Sequence, residues 1–177
     1  MISKYKVDWQ KILGKGFVAY GKGDHMRNDT YKELKRFNYL LGEINAQYHE
    51  MSLKLGLSDS AMMVLYAICD NGECCLLQEI CRRTGVSKQT INSAIRKLER
   101  EGMVYLEAMG AKNKNVCLTE RGKGLAEDTV MRIMEAENDI FATWPQEDVA
   151  RYLALTERFL EAIGERADRI KGGLGHE

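Results

Sequence analysis

Only one proline occurs in 177 residues, so few helix breaks are built into the chain. No apolar stretch approaches the length of about twenty residues that a membrane-spanning helix requires. Residues 1–10 hold no apolar leader core, and secretion is not expected. The five cysteines are odd in number, with Cys74 and Cys75 adjacent. That pattern makes no disulfide framework, and reduced thiols in a cytoplasmic protein are the expectation. The three histidines, His25, His49 and His176, share no ligand spacing with a Cys or Glu pair, so no metal site is read. There is no phosphate-cradling glycine loop, no Gly-x-Ser-x-Gly, and no histidine beside a nucleophile. The chain does not read as an enzyme, and no cofactor is expected.

What is present is an uneven layout of charge. Lys and Arg balance Asp and Glu at 26 each, which looks unfavourable for a nucleic-acid partner. Yet residues 76–115 carry eight basic side chains against four acidic ones. Residues 116–177 carry eight against thirteen. A basic middle followed by an acidic C-terminal third is the asymmetry to follow.

The hydrophobic pattern divides the chain into mainly helical segments. Residues 1–29, interrupted by Gly14, Gly16, Gly21 and Gly23, read as a flexible arm. From Thr30, the positions Leu34, Phe37, Leu41, Ile44, Tyr48, Met51 and Leu55 form a heptad-like stripe that ends at Gly56. Such a helix cannot bury its stripe against itself and needs a partner. Ser58 is placed to cap a second helix with Ala61, Leu65 and Ile68 inward. A short helix follows over 77–84, and Ser87 opens a fourth with Ile91, Ile95 and Leu98 buried. Val104, Leu106 and Ala108 alternate as a strand, and Val116 and Leu118 lie on its return, with Cys117 facing outward. The polar connection 110–114 makes the pair a hairpin. One long helix is expected from Thr119 to about Thr143, where Trp144-Pro145 interrupts it. The last helix carries Val149, Leu153, Thr156, Leu160, Ile163, Ala167 and Ile170, and 172–177 read as a frayed tail. The expected parts are therefore the arm, a dimerisation helix (30–56), a DNA-binding domain (57–118) and C-terminal dimerisation helices (119–171).

Helix, turn, short helix, Gly85-Val86-Ser87, helix and hairpin is the order of a winged helix-turn-helix. With Ile91, Ile95 and Leu98 inward, the opposite face of the fourth helix offers Lys88, Gln89, Asn92, Ser93 and Arg96. Amides and hydroxyls at that spacing suit base edges in a major groove, while Lys88, Arg96 and Lys97 suit phosphates. The fold class is thus mainly α with a small β-hairpin wing (α+β).

Residues 77–102, with Thr84-Gly85-Val86-Ser87-Lys88-Gln89-Thr90 at the turn, resemble the MarR family of winged-helix repressors. Leu118-Thr119-Glu120-Arg121-Gly122 is similar to the family's signature after the wing. The resemblance runs through the order of elements from about residue 30 to 170. It implies a homodimer built by the first and last two helices, double-stranded DNA as partner, and no membrane. The implied DNA contacts are Ser87, Lys88, Gln89, Thr90, Asn92, Ser93, Arg96 and Lys97, with Lys112 and Lys114 on the wing. It also implies release by a small, often aromatic, effector, for which Phe37, Tyr39, Tyr48, Met62 and Tyr66 are the candidates. One departure stands out. The family's wing tip usually carries Asp-x-Arg, whereas Gly110-Ala111-Lys112-Asn113-Lys114 has neither residue, so charge is kept without the planar fork that suits a narrow minor groove. Two other readings remain open. One is a thiol-based redox regulator of the same fold, although no cysteine sits near the start of the first long helix as in the family's peroxide sensors. The other is a winged-helix module that docks proteins without reading DNA sequence.

Overall fold

The computed structural model describes residues 28–109 and 113–173, with side chains described for 30–109 and 113–170. Residues 1–27 of the expected arm, 174–177 of the expected tail and the wing-tip Lys112 lie outside the described residues, whereas 28–29 and 172–173, expected to lie outside the helices, belong to the first and last of them. The chain divides into two compact units, 1–45 and 46–177.

Within the first unit, the described part is the beginning of α1 (Asn28–Lys54). Leu34, Phe37, Leu41 and Ile44, four positions of the heptad stripe, are all exposed there, as are Tyr39 and Leu40.

The second unit holds the core. It comprises the end of α1, then α2 (Asp59–Asp70), β1 (Cys74–Leu76), α3 (Leu77–Thr84) and α4 (Lys88–Arg100). There follow β2 (Val104–Met109), β3 (Asn113–Leu118), α5 (Glu120–Asp128), α6 (Val130–Ala142) and α7 (Gln146–Gly173). Leu65, Ile68, Ile80, Ile91, Leu98, Val104, Val116 and Val130 are fully enclosed. Each large aliphatic side chain so buried contributes roughly 1.5–3 kcal/mol relative to exposure. The inner faces read from sequence for α2 and α4 are the buried ones: Ala61, Leu65 and Ile68, then Ile91, Ile95 and Leu98.

Local chemistry sets the turns. Ser58 Oγ accepts from Ala61 N at 3.3 Å, opening α2. Gly85 adopts φ 63°, a left-handed conformation that ends α3 cheaply only because it lacks a Cβ. Ser87 Oγ then accepts from Thr90 N at 3.2 Å and starts α4.

Thr119 knits the end of the wing to the next helix. Its hydroxyl donates to the Gly102 carbonyl at 2.7 Å and accepts from Gly122 N at 3.0 Å, while its own N–H donates to the Met103 carbonyl. A Cβ on Gly122 would fall 1.9 Å from the Met103 carbonyl oxygen. The Leu-Thr-Glu-Arg-Gly motif is therefore a structural joint.

Three expectations are corrected: where the return strand begins, the state of Cys74 and Cys117, and the single long helix after the wing. The β2–β3 hairpin forms as expected, and β1 joins it in a three-stranded antiparallel sheet of order β1-β3-β2. The return strand starts at Asn113 rather than Asn115, which places Lys114 opposite Ala108 within the ladder. Because β1 lies directly alongside β3, Cys74 sits across from Cys117 and the two are joined as a disulfide. The expectation of five reduced thiols, with Cys117 facing outward, fails for this reason: β1 covers that position, and Cys117 is buried.

The single long helix expected from Thr119 to Thr143 is broken at Thr129 into α5 and α6. Thr129 is buried, its hydroxyl donates back to the Leu125 carbonyl at 2.5 Å, and its backbone leaves helical geometry at φ −129°, ψ −89°. Back-bonding threonines compete with the helix ladder. The break lets α6 bury Val130 and Ile133 against the core that α2 shares. Trp144-Pro145 falls between α6 and α7 as expected, where Phe141 stacks on Trp144 and Tyr152 meets both rings edge-on.

Candidate functional site

The outer face of α4 is where the polar side chains of the middle segment converge. Ser87, Lys88, Gln89, Thr90, Ser93, Arg96 and Lys97 are exposed and Asn92 is half-exposed. Several of them are occupied locally. Ser87 Oγ and Thr90 Oγ1 lie 2.8 Å apart in the helix cap. Ser93 Oγ donates to the Gln89 carbonyl at 2.9 Å. Lys97 reaches Glu101 only at 3.9 Å. The side chains of Lys88, Gln89, Asn92 and Arg96 form no hydrogen bond or ion pair among the described residues, which leaves their donors and acceptors available to a partner.

The basic side chains of α3 differ. Arg82 and Arg83 both clasp Glu79, Arg82 through Nη2 at 2.7 Å and Arg83 through Nε at 2.8 Å, and Arg83 also pairs with Asp70. These hydrogen bonds hold the Glu79 carboxyl down at about 2. The local excess of positive charge is thus displayed by α4 and the wing rather than by α3. Lys88, at the start of α4, and Lys114, on β3, line one groove of about 380 Å³ together with Gln78 and Leu77 at the start of α3. Two cations and a helix N-terminus on one groove make a surface suited to a phosphate backbone.

A second feature lies away from this face. Tyr48, Met62, Met63, Tyr66, Ala67, Asp70, Arg83 and Glu137 line a cavity of about 460 Å³ between the end of α1, α2 and α6. Tyr48 and Tyr66 both donate their phenol hydrogens to Glu137, one to each carboxylate oxygen, Tyr66 at 2.5 Å. Burial, reinforced by the Glu137 bond, pushes the Tyr48 hydroxyl up to about 12, and raises Tyr66 as well. Tyr48, Met62 and Tyr66, three of the five residues expected around an effector, meet here. Phe37 and Tyr39 are exposed residues of the first unit. Sequence reasoning did not single out Glu137, Asp70 or Arg83. Nothing in the pattern marks Glu137, one of many acidic residues in the C-terminal third, until the break at Thr129 sets α6 against α2.

Residues 55–110 match the MarR family. Among curated protein sequences, none matches this chain. Among solved structures, the fold is similar to a MarR family regulator of Neisseria meningitidis, with TM-score 0.69 at 19% identity over 77% of this chain and 97% of that one. It is similar to MepR of Staphylococcus aureus in complex with DNA, with TM-score 0.57 at 18% identity over 73% and 96% of the two chains. It is also similar to Staphylococcus aureus MarR in complex with salicylate and kanamycin, with TM-score 0.59 at 15% identity over 77% and 93%.

Proposed function

We propose that this chain, a MarR-type winged-helix transcription regulator, acts as a homodimeric, cytoplasmic repressor that grips an inverted repeat and releases it when a small molecule fills the Tyr48–Glu137 cavity. The observation that carries the reading is the face of α4, where Gln89 and Asn92 keep their amides free while Lys88 and Lys114 converge beside them. Amides that have no internal partner read base edges; the lysines and Arg96 hold phosphates. The similar MepR structure holds DNA and the similar MarR structure holds salicylate, which supports both partners here.

The dimer rests on apolar surface. Leu34, Leu41 and Ile44 on α1, and Leu153, Phe159, Leu160 and Ile163 on α7, are exposed, more than a stable monomer ordinarily leaves uncovered. Two copies per repeat would match the two-fold symmetry of such a site.

The test uses DNA from beside the protein's own gene. Sedimentation should find twice the 20.2 kDa chain mass, and anisotropy should find saturable binding that outlasts competition by random DNA. Gln89→Ala or Asn92→Ala should relax preference at individual base pairs by roughly 1–3 kcal/mol. Lys97→Ala should weaken all sequences alike and flatten the salt slope by about one unit. Equal losses on specific and random DNA for all three would overturn this division of roles, and no saturable DNA binding at all would favour a protein-docking module. The disulfide at the root of the wing favours one second reading, a thiol-responsive regulator, in which reduction of Cys74–Cys117 changes DNA affinity.

A further inference from the structure

The Tyr48–Glu137 cavity has a charge balance that selects its occupant. Its wall carries two carboxylates, Asp70 and Glu137, and one guanidinium, Arg83. Arg83 is already bound on two sides, by Asp70 and by Glu79. The two tyrosine hydroxyls are also committed, since both hydrogens point to Glu137. An anionic effector entering here would face two carboxylates and a guanidinium whose charge Asp70 and Glu79 already offset, although Arg83 keeps N–H groups beyond the two they engage. Glu137 is in the opposite position. A carboxylate offers about four lone-pair directions and the tyrosines use two, so it has room to accept N–H groups from a ligand. Around it stand two electron-rich rings, which attract cations through their faces, and the polarisable thioethers of Met62 and Met63. A volume of about 460 Å³ holds a small bicyclic molecule.

We infer that this cavity binds an aromatic amine in its protonated form, with the ammonium on Glu137 and the ring between Tyr48, Tyr66 and the methionines. The inference rests on the reading of this cavity as the effector site and gives that effector its chemical class. Tyr48 and Tyr66 are positioned by Glu137 through their hydroxyls, so the carboxylate both orients the rings and neutralises the guest.

Three indoles that differ mainly in charge test it by calorimetry at neutral pH: tryptamine as the cation, tryptophol as the neutral analogue and indole-3-acetate as the anion. Tryptamine should bind about tenfold or more tighter than tryptophol, and indole-3-acetate weakest of all. Glu137→Gln should bring tryptamine level with tryptophol while leaving tryptophol binding in place. Tyr66→Phe, which keeps the ring and frees one carboxylate oxygen, should retain the preference for the cation. Binding of the anion as tightly as the amine, survival of the preference in Glu137→Gln, or binding of none of the three would overturn the inference. Operator binding by the same preparations reports on the regulator separately: that reading fails if no specific DNA is held, whatever the amine does.

Discussion

The long helices and the winged region carry apolar residues at similar helical spacing and dispose of them in opposite ways. In α2 and α4 the inward residues are nearly all enclosed, Leu65 at 0% and Leu98 at 2% exposure. In α7, Leu160 and Ile170 remain 68% and 67% exposed. Periodicity tells which face of a helix wants burial; whether the covering surface belongs to the same chain depends on the lengths and turns around it. The short helices, held between Ser caps and left-handed glycines, fold back on one another. A helix of 28 residues such as α7 extends past anything the small core can cover.

The sharpest way to break this contrast is at glycines on its two sides. Gly122→Ala should cost about 4 kcal/mol or more and lower the melting temperature steeply, because its Cβ would displace the Met103 carbonyl that Thr119 also uses. Next comes the sheet. Reducing Cys74–Cys117, or replacing both by serine, should cost roughly 2–4 kcal/mol in thermal unfolding for a bridge that closes a loop of this length. Unreduced, denatured protein should take up three alkyl groups, on Cys69, Cys75 and Cys81, and five after reduction. Uptake of five without reductant would mean that the strands pair without the bond.

A smaller effect should appear where α1 enters the core. Tyr48 and Tyr66 have hydroxyls raised by burial and by Glu137. A tyrosine raised in the folded state lends stability that is complete below its unfolded value near 10 and is lost as pH climbs towards about 12. Phenolate absorbance should therefore show two of the eight tyrosines ionising later than the rest, and Glu137→Gln should move them earlier. Least of all should be felt at Gly164 in α7, where a Cβ meets nothing within 4 Å. Gly164→Ala should raise the melting temperature slightly, by the roughly 1 kcal/mol that alanine gains over glycine in a helix. A loss there would show that α7 packs closely on a partner at that point.

Much of the winged region could be read from the chain alone. The caps at Ser58, Ser87 and Thr119, the stops at Gly56 and Gly85, and the inward faces of α2 and α4 each follow from a few neighbouring residues. They obey local rules of hydrogen bonding and backbone sterics, so no distant contact was needed to find them. The polar face of α4 follows in turn, as the side opposite Ile91, Ile95 and Leu98. What lay beyond reach were features made by residues far apart in sequence. Cys74 and Cys117 become neighbours only because β1 adds to the wing sheet. Glu137 meets Tyr48 and Tyr66, 89 and 71 positions away, only because Thr129 turns α6 towards α2. Local chemistry determined where helices begin, end and face; the cavity, its charge and the disulfide were decided by tertiary packing, because each depends on which distant surfaces find one another.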